Sequence, residues 1–278
     1  MTSGIQAADT KYLEDIARQL RKDVISIVGC AKASHVASAL SCVDIITALY
    51  FKILKIDPKK PYDESRDCFI LSKGHGASAL YAALAGKGFF DKKFLEKACM
   101  DEGHLAGHPV YRSMPGIEAT TGSLGHGLPI GAGMAFALKH DKKPARVFVL
   151  LGDGECDEGS VWEAALAASH FKLDNLIAII DYNKLQGFGR TDEVLGLEPF
   201  GKKWSSFGWA VEEIDGHNMR EIVDVLSRIP KKEKRPTAII AHTIKGKGVS
   251  FMENRLEWHY KPPTHEEMQL AFKELDEI

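Results

Sequence analysis

Short, continuously apolar runs alternate along this chain with longer segments in which apolar residues recur at helical spacing. Two of the runs, LIAIID (176–181) and TAIIAH (237–242), show no apolar–polar alternation, which is typical of strands covered by helices on both faces. The pattern predicts strands over about 68–71, 146–151, 176–181, 209–214 and 237–242. It predicts helices over about 77–86, 128–140, 158–170, 201–207 and 218–229.

Two further helices are expected ahead of the first strand. One covers about 10–33 and the other about 41–54, where Ser41 is expected to cap the first turn and Asp44 to complete a capping box. The alternation of strands and helices predicts an α/β fold, a doubly wound, mainly parallel sheet with helices on both faces. No linker or internal repeat interrupts the pattern, so we interpret residues 1–278 as one domain.

Composition narrows the class of protein without defining it. The 278 residues are 45% hydrophobic and 27% charged, with a net charge of −2, which argues against nucleic acid as a main partner. No run of about 18 apolar residues is present, so no contact with a membrane is expected. The five cysteines are widely spaced and include no CxxC pair, which favours a reducing, cytoplasmic location over a disulfide framework.

An acidic cluster at the end of one predicted strand is the first sign of chemistry. Asp153 follows the strand 146–151, and Asn183 follows the next strand, about 28 residues after Gly154. The carboxyl ends of parallel strands meet at one edge of a sheet, where ligands bind. Carboxylate and amide oxygens suit Mg²⁺, which completes its shell with phosphate oxygens and water. With Gly154 allowing close approach of an anion, the sequence predicts a site for a metal-bound diphosphate.

Other phosphate and metal motifs fit this region less well. A calcium loop counted from Asp153 would need Gly at position 158 and Glu at 164, where the chain has Glu and Ala. The dinucleotide fingerprint lacks its third glycine, and no P-loop is present here. We interpret the side chains of Glu155 and Asp157 as loop residues without a role of their own. The Gly- and His-rich segment 87–127 is long for a loop and is therefore a functional candidate.

The GDG sequence followed by Asn183 resembles the thiamine diphosphate motif, and the chain resembles the N-terminal, diphosphate-binding domain of transketolase. The resemblance covers essentially the whole chain. Its further motifs are KASH (32–35), LSKGH (71–75), GHP (107–109), TTGSLGHG (120–127), KGKG (245–248) and EWH (257–259). It implies the thiamine-diphosphate-binding fold, with thiamine diphosphate and Mg²⁺ as cofactors and Ca²⁺ or Mn²⁺ as substitutes for the metal.

The resemblance also implies roles for individual residues. The metal would be bound by the side chains of Asp153 and Asn183 and by the carbonyl of Leu185. The cofactor would be contacted by His75, Gly122, Leu124, Gly154, Asn183, His259 and the amide of Glu155. The implied catalytic residues, which would line the substrate channel and exchange protons with sugar hydroxyls, are His35, His75, His108 and His259.

One departure from the family pattern concerns Gly187. The family commonly has a branched apolar residue here that packs on the thiazolium ring, so the ring contact could shift to Phe188.

The resemblance implies that this chain works with a partner. The glutamate that activates the cofactor belongs to the pyrimidine-binding domain, which is absent here together with the C-terminal domain. We expect a separate subunit carrying that glutamate, a symmetric α₂β₂ assembly, and no activity from this chain alone. A naturally split gene is favoured over a cut piece of a longer chain.

The implied reaction moves a two-carbon ketol group from a ketose, usually a phosphate, to an aldose, as in the pentose phosphate pathway. The alternatives are the α subunit of a 2-oxoacid dehydrogenase, a transketolase relative for an unusual sugar such as a sulfonated or branched one, and a non-catalytic diphosphate-binding half. A nucleotide-dependent dehydrogenase lacks its fingerprint.

Overall fold

The order of strands and helices follows the pattern of the sequence. A computed structural model describes residues 6–277. The strands are β1 (Cys68–Leu71), β2 (Val147–Gly152), β3 (Leu176–Tyr182), β4 (Leu185–Gln186), β5 (Gly189–Arg190), β6 (Ala210–Asp215) and β7 (Thr237–His242). Each predicted strand is found, with bounds shifted by at most one residue.

Ten α-helices among residues 6–277 surround the strands. They are α1 (Ala7–Ala31), α2 (Val36–Leu40), α3 (Val43–Ala48), α4 (Ala77–Lys87), α5 (Gly127–His140), α6 (Gly159–His170), α7 (Thr191–Val194), α8 (Phe200–Ser206), α9 (Met219–Leu226) and α10 (His265–Glu277). A π-helical turn covers Leu49–Ile53, and 3₁₀ turns cover Gly74–Gly76, Lys92–Lys97, Gly154–Asp157 and Leu256–His259. Within residues 6–277, every helix is too short or too polar to cross a membrane.

Five parallel strands form the main sheet in the order β1-β2-β3-β7-β6. The chain moves outward from β1 to β3, passes over one position to β6 and returns to β7. Because parallel crossovers are right-handed, this reversal places helices on both faces of the sheet. The short strands β4 and β5 form a separate antiparallel pair.

Alternate residues of the strands enter two apolar cores, one on each face. In β2, Phe148 and Leu150 belong to the core shared with α1, α3, α4 and α9. Val147, Val149 and Leu151 belong to the core shared with α5, α6 and α8. Both faces of each central strand are thus withdrawn from water, which explains why the strands lack polar alternation. The predicted fold class is confirmed.

The predicted helix over 41–54 is wrong in its start and its cap. α2 ends at Leu40, just before Ser41, and α3 continues into the π-helical turn. The Ser41 hydroxyl donates to Asp181 at 2.5 Å instead of capping a helix. Asp44 accepts two hydrogen bonds from Arg21, at 3.0 and 2.6 Å, and one from His217 Nδ1 at 2.8 Å. Both side chains are buried, so tertiary partners satisfy them in place of the helix start.

Candidate active site

A cavity of about 260 Å³ lies beyond the carboxyl ends of the sheet strands. Every residue predicted for the site lines it, which brings together His35, His75, His108, Gly122, Leu124, Asp153, Gly154, Glu155, Asn183, Leu185 and His259. The segment 87–127 supplies three of these residues, as expected for a functional loop. Six further residues line the cavity without a role predicted from the sequence, Ser38, Lys73, Gly152, Gln186, Lys245 and Tyr260.

Asp153 links the ends of two neighbouring strands. One carboxylate oxygen accepts from the Gly154 N–H at 2.7 Å, and the other accepts from the Lys184 N–H at 2.5 Å. Asn183 Oδ1 accepts from the Leu185 N–H at 3.1 Å. Asp153 is only 3% exposed, and burial together with the nearby Asp181 carboxylate raises its pKa to about 6. Its negative charge is therefore poorly compensated, and a bound cation would relieve it.

The donors at this corner fit Mg²⁺. Asp153, Asn183 and the Leu185 carbonyl offer one carboxylate, one amide and one carbonyl oxygen, all hard ligands. The described residues contain no group of three His, Cys, Asp or Glu side chains that could hold a metal by themselves. A hexacoordinate ion here would thus take its remaining ligands from phosphate and water.

Two buried lysines face the same cavity, and their environments differ. Lys73 forms an ion pair with Asp181 and donates to the Ser38 carbonyl at 2.7 Å. Burial opposes ionisation of Asp181, but Lys73 and hydroxyl donors outweigh it and lower the pKa of this carboxyl. The charge of Lys73 is therefore matched inside the protein.

Among the described residues, the hydrogen bonds that position the Lys245 ammonium include none to a carboxylate. Its ammonium donates to the Leu185 carbonyl at 2.8 Å and to His259 Nδ1 at 2.7 Å. It is 1% exposed, and burial together with Lys73 lowers its pKa to about 8. This surplus of buried positive charge favours an anionic ligand. Both lysines lie just beyond strand ends, in the LSKGH and KGKG motifs, and that position was the signal that could have identified them.

The four predicted histidines form one group. The ring centroid of His35 lies 5.1 Å from that of His75, 5.0 Å from that of His259 and 6.4 Å from that of His108. Burial, with smaller effects of neighbouring cations, lowers the pKa of His35 to about 4 and of His259 to about 3, and it also lowers that of His75. These three rings are therefore neutral at pH 7, and each can both donate and accept a hydrogen bond.

Hydrogen bonds fix two of these residues. Because His259 Nδ1 accepts from the Lys245 ammonium, the ring proton of His259 is on Nε2. His35 adopts a left-handed conformation, with φ of 75°, and its N–H donates to the His259 carbonyl at 2.9 Å. Such backbone strain in a residue of the site is held by the surrounding contacts.

Glu155 is a buried residue that ties three segments together, so its interpretation as a loop side chain was wrong. Its carboxylate accepts from the Ser72 hydroxyl, from the Gly125 N–H at 2.9 Å and from the Gly152 N–H at 3.0 Å. The residue is 2% exposed. These donors come from the end of β1, the 87–127 segment and the end of β2, and no local pattern predicts their convergence.

Glycines keep the wall of the cavity free of side chains. Gly122 has φ of 143°, and a Cβ added there would lie 3.1 Å from the His108 ring. A Cβ on Gly154 would lie 2.7 Å from Cβ of Gln186. The bare backbone at these two positions allows a ligand to approach main-chain groups closely.

These features define an α/β protein with a cavity at the carboxyl edge of a parallel sheet, where a buried carboxylate and a buried ammonium face the same space. The family model described as "Transketolase, thiamine diphosphate binding domain" matches residues 12–275, and the chain belongs to this family.

Similar proteins include chains that are named as transketolase subunits. One, an apulose-4-phosphate transketolase subunit from Phocaeicola vulgatus, is 46% identical over 265 residues, covering 95% of this chain and 94% of that protein. Another, a 6-deoxy-6-sulfo-D-fructose transketolase subunit from Clostridium sp., is 44% identical over 264 residues, covering 95% of this chain and 96% of that protein. The prediction of a transketolase N-terminal, thiamine-diphosphate-binding domain is confirmed, as is the transferase class.

Solved transketolases share the fold. The enzyme from Leishmania mexicana superposes with a TM-score of 0.89 and is 26% identical over 95% of this chain. The chain spans 41% of the length of that solved chain.

Proposed function

We propose that this chain binds Mg²⁺ and the diphosphate of thiamine diphosphate as the N-terminal subunit of a two-chain transketolase. The observation that carries the proposal is the distribution of buried charge in one cavity. An undercompensated carboxylate, Asp153, faces the same space as the surplus ammonium of Lys245. A diphosphate with its metal supplies a cation to the first and an anion to the second.

In the proposal, Asp153, Asn183 and the Leu185 carbonyl hold the metal. The Leu185 carbonyl accepts from Lys245 in this structure. A metal bound to the same oxygen would repel this ammonium and so favour its movement to the anion. The amides of Gly154 and Glu155, with His75 and His259, contact the diphosphate. Backbone groups of Gly122 and Leu124 lie beside the aminopyrimidine.

Thiamine diphosphate, when bound, supplies the electron sink for cleaving and forming the carbon–carbon bond. The histidines of this chain orient the sugar and move its protons, in the proposed transfer of a two-carbon ketol group from a ketose to an aldose. His259 Nε2–H can donate to a sugar oxygen. His35, with a pKa of about 4, is neutral at pH 7 and can accept a hydrogen bond from a sugar hydroxyl through one ring nitrogen.

The proposal includes a partner chain that supplies the pyrimidine-binding domain and its glutamate, and an α₂β₂ assembly. The names of the related proteins support it, since each is called a subunit and so implies a second chain for that relative. Those names also refer to apulose 4-phosphate and to 6-deoxy-6-sulfo-D-fructose, so an unusual ketose is part of the proposal. The family match gives the 2-oxoacid dehydrogenase alternative no support. The single domain over 1–278, the cytoplasmic location and a place in the pentose phosphate pathway stay predictions.

The decisive variant is Asp153→Ala, made in the complex of this chain with its partner. We expect the affinity for thiamine diphosphate in the presence of Mg²⁺ to fall at least about tenfold, since direct metal ligands matter more than the surrounding residues whose loss costs about 10–100-fold. Asp157→Ala is the matched control, because Asp157 lies in the same turn but contacts Gln186. Titration followed by tryptophan fluorescence measures the affinity, and an unchanged value for Asp153→Ala would overturn the metal assignment.

The partner requirement has a separate test. The purified chain without a partner is expected to show no transfer of a ketol group from fructose 6-phosphate. The complex with its partner is expected to transfer this group from fructose 6-phosphate or from a related ketose. Transfer by the chain alone would contradict the proposed division of the active site.

A further inference from the structure

We propose that Tyr260 forms the substrate-side wall of the cavity in the space left free by Gly187, and that its phenol hydroxyl donates a hydrogen bond to a hydroxyl of the ketose substrate near the reacting carbons. This inference rests on the proposed function and adds a specificity-determining residue to it.

Gly187 matters for the space that it leaves beside Tyr260 and not for its backbone conformation. Its φ lies outside the left-handed region, unlike that of Gly189, at 147°. A Cβ added to Gly187 would lie 2.6 Å from Tyr260 Oη, 3.3 Å from His259 Nε2 and 3.5 Å from Tyr260 Cζ. Only the first distance is too short for a Cβ. Tyr260 Oη is the far end of an exposed side chain, so a larger residue at 187 would displace the phenol from the position it has here.

The Tyr260 ring is held against the histidine group. Its centroid lies 4.6 Å from that of His259 and 5.9 Å from that of His35, both in edge-to-face geometry. Tyr260 lines the same cavity as these rings. The hydroxyl and His259 Nε2 both border the space above Gly187, so they present two polar groups to one small volume.

The surroundings of the hydroxyl favour a sugar over the diphosphate as its ligand. Tyr260 is 54% exposed, and within residues 6–277 its hydroxyl has no hydrogen-bond partner, so the donor is available. The two lysines that line the cavity are buried at its inner end, whereas Tyr260 lies at the outer end. A ring with an apolar face and a polar tip suits a polyhydroxylated chain. Phe188, the ring contact expected from the sequence, is 84% exposed and packs poorly by comparison.

A double-mutant cycle isolates the contact. Gly187→Ala places a methyl group against Tyr260 Oη, whereas in Tyr260→Phe the nearest atoms would be His259 Nε2 and the ring carbon, at tolerable distances. We expect Gly187→Ala to lower kcat/KM about tenfold in the Tyr260 background and less than about threefold with Tyr260→Phe. Thermal unfolding of the same four chains without cofactor provides a readout independent of activity, and should show the same sign of coupling.

The hydroxyl itself is tested by Tyr260→Phe alone, in the complex with the partner chain. Loss of one hydrogen bond should lower kcat/KM for the ketose about 2–12-fold, while the affinity for thiamine diphosphate stays the same. The ketose probes are fructose 6-phosphate, 6-deoxy-6-sulfofructose and apulose 4-phosphate. Similar losses are expected for every donor that the wild-type complex uses, because the contact lies near the reacting carbons and not at the charged end.

The outcomes separate this inference from the proposed function. Equal effects of Gly187→Ala in both backgrounds, or unchanged kcat/KM in Tyr260→Phe, would overturn the role of Tyr260 while leaving thiamine diphosphate binding intact. A wild-type complex that binds no thiamine diphosphate would overturn the proposed function and the substrate role of Tyr260 together. The thermal cycle would still report the Gly187–Tyr260 contact in that case.

Discussion

Replacing Lys73 with Met removes the positive half of the most deeply buried ion pair described at the site. The side chains of Lys73 and Asp181 are 2% and 0% exposed. After the substitution, Asp181 keeps only hydroxyl donors from Ser41 and Thr243 as hydrogen-bond partners. Leaving a buried charge unpaired costs about 3–5 kcal/mol, and the two hydroxyls favour the lower end of that range. At about 2–4 °C per kcal/mol, the melting temperature should fall by roughly 6–12 °C.

Thermal denaturation followed by circular dichroism measures the change. The matched control is Lys93→Met, which removes an ion pair whose side chains are 66% and 60% exposed, and it should leave the melting temperature unchanged. Replacing both partners, Lys73→Met with Asp181→Leu, should be less destabilising than the sum of the single changes. A Lys73→Met chain that melts with the wild type would refute the reasoning.

The pair also gives stability a pH dependence of known sign. Because the pKa of Asp181 is lowered in the folded chain, its contribution is present above the unfolded pKa, near 4, and is lost as pH falls through the folded pKa. The acid side of the stability profile should flatten in Lys73→Met, and an unaltered profile would contradict the assignment.

Three further outcomes follow from buried polar groups. Glu155→Gln replaces an acceptor of three hydrogen bonds with an amide, so the free energy of unfolding should fall by about 1–3 kcal/mol. Chemical denaturation measures this free energy, and a wild-type value would contradict the contact of Glu155 with three segments. Lys245, with a pKa of about 8, is largely neutral at pH 9, so binding of thiamine diphosphate at this pH should be coupled to uptake of a proton by the wild type but not by Lys245→Met. Calorimetry in two buffers measures the uptake, and equal uptake by both chains would exclude Lys245 as the group that is protonated. His217→Phe removes the ring nitrogen that accepts from the Ile244 N–H at 2.8 Å, next to Lys245, and should weaken cofactor binding as well as stability. A loss of stability without weaker cofactor binding would show that His217 contributes to folding alone.

The strands could be predicted closely because a parallel sheet covered on both faces leaves a strong local signal. The runs at 176–181 and 237–242 are apolar almost throughout, and the structure buries both of their faces. Polar residues at strand ends were equally informative, since parallel topology alone brings Asp153 and Asn183 to one edge. The family motifs added the histidines, which come from loops that no periodicity connects.

The remaining features depend on contacts between distant segments. Ser41 and Asp44 have the local pattern of a capping box, yet buried partners from other elements use both side chains. The carboxylate of Glu155 collects donors from three segments, so its neighbours in sequence give no sign of its role. The charge states of Lys73 and Lys245 are set by burial and by the positions of carboxylates, which exist only after folding.

The hydrogen bond from the His35 N–H to the His259 carbonyl has a consequence for the order of events during protein synthesis. The contact of Asp153 with the Lys184 N–H, at the proposed metal site, joins residues that leave the ribosome well before residue 259. The histidine face cannot form until residue 259 has emerged, because only then is the left-handed turn at His35 held in place. In a nascent chain the proposed metal ligands Asp153, Asn183 and Leu185 therefore emerge before Lys245 and His259, the proposed contacts of the diphosphate and the sugar. A ribosome stalled in the last strand would display the first group without the second.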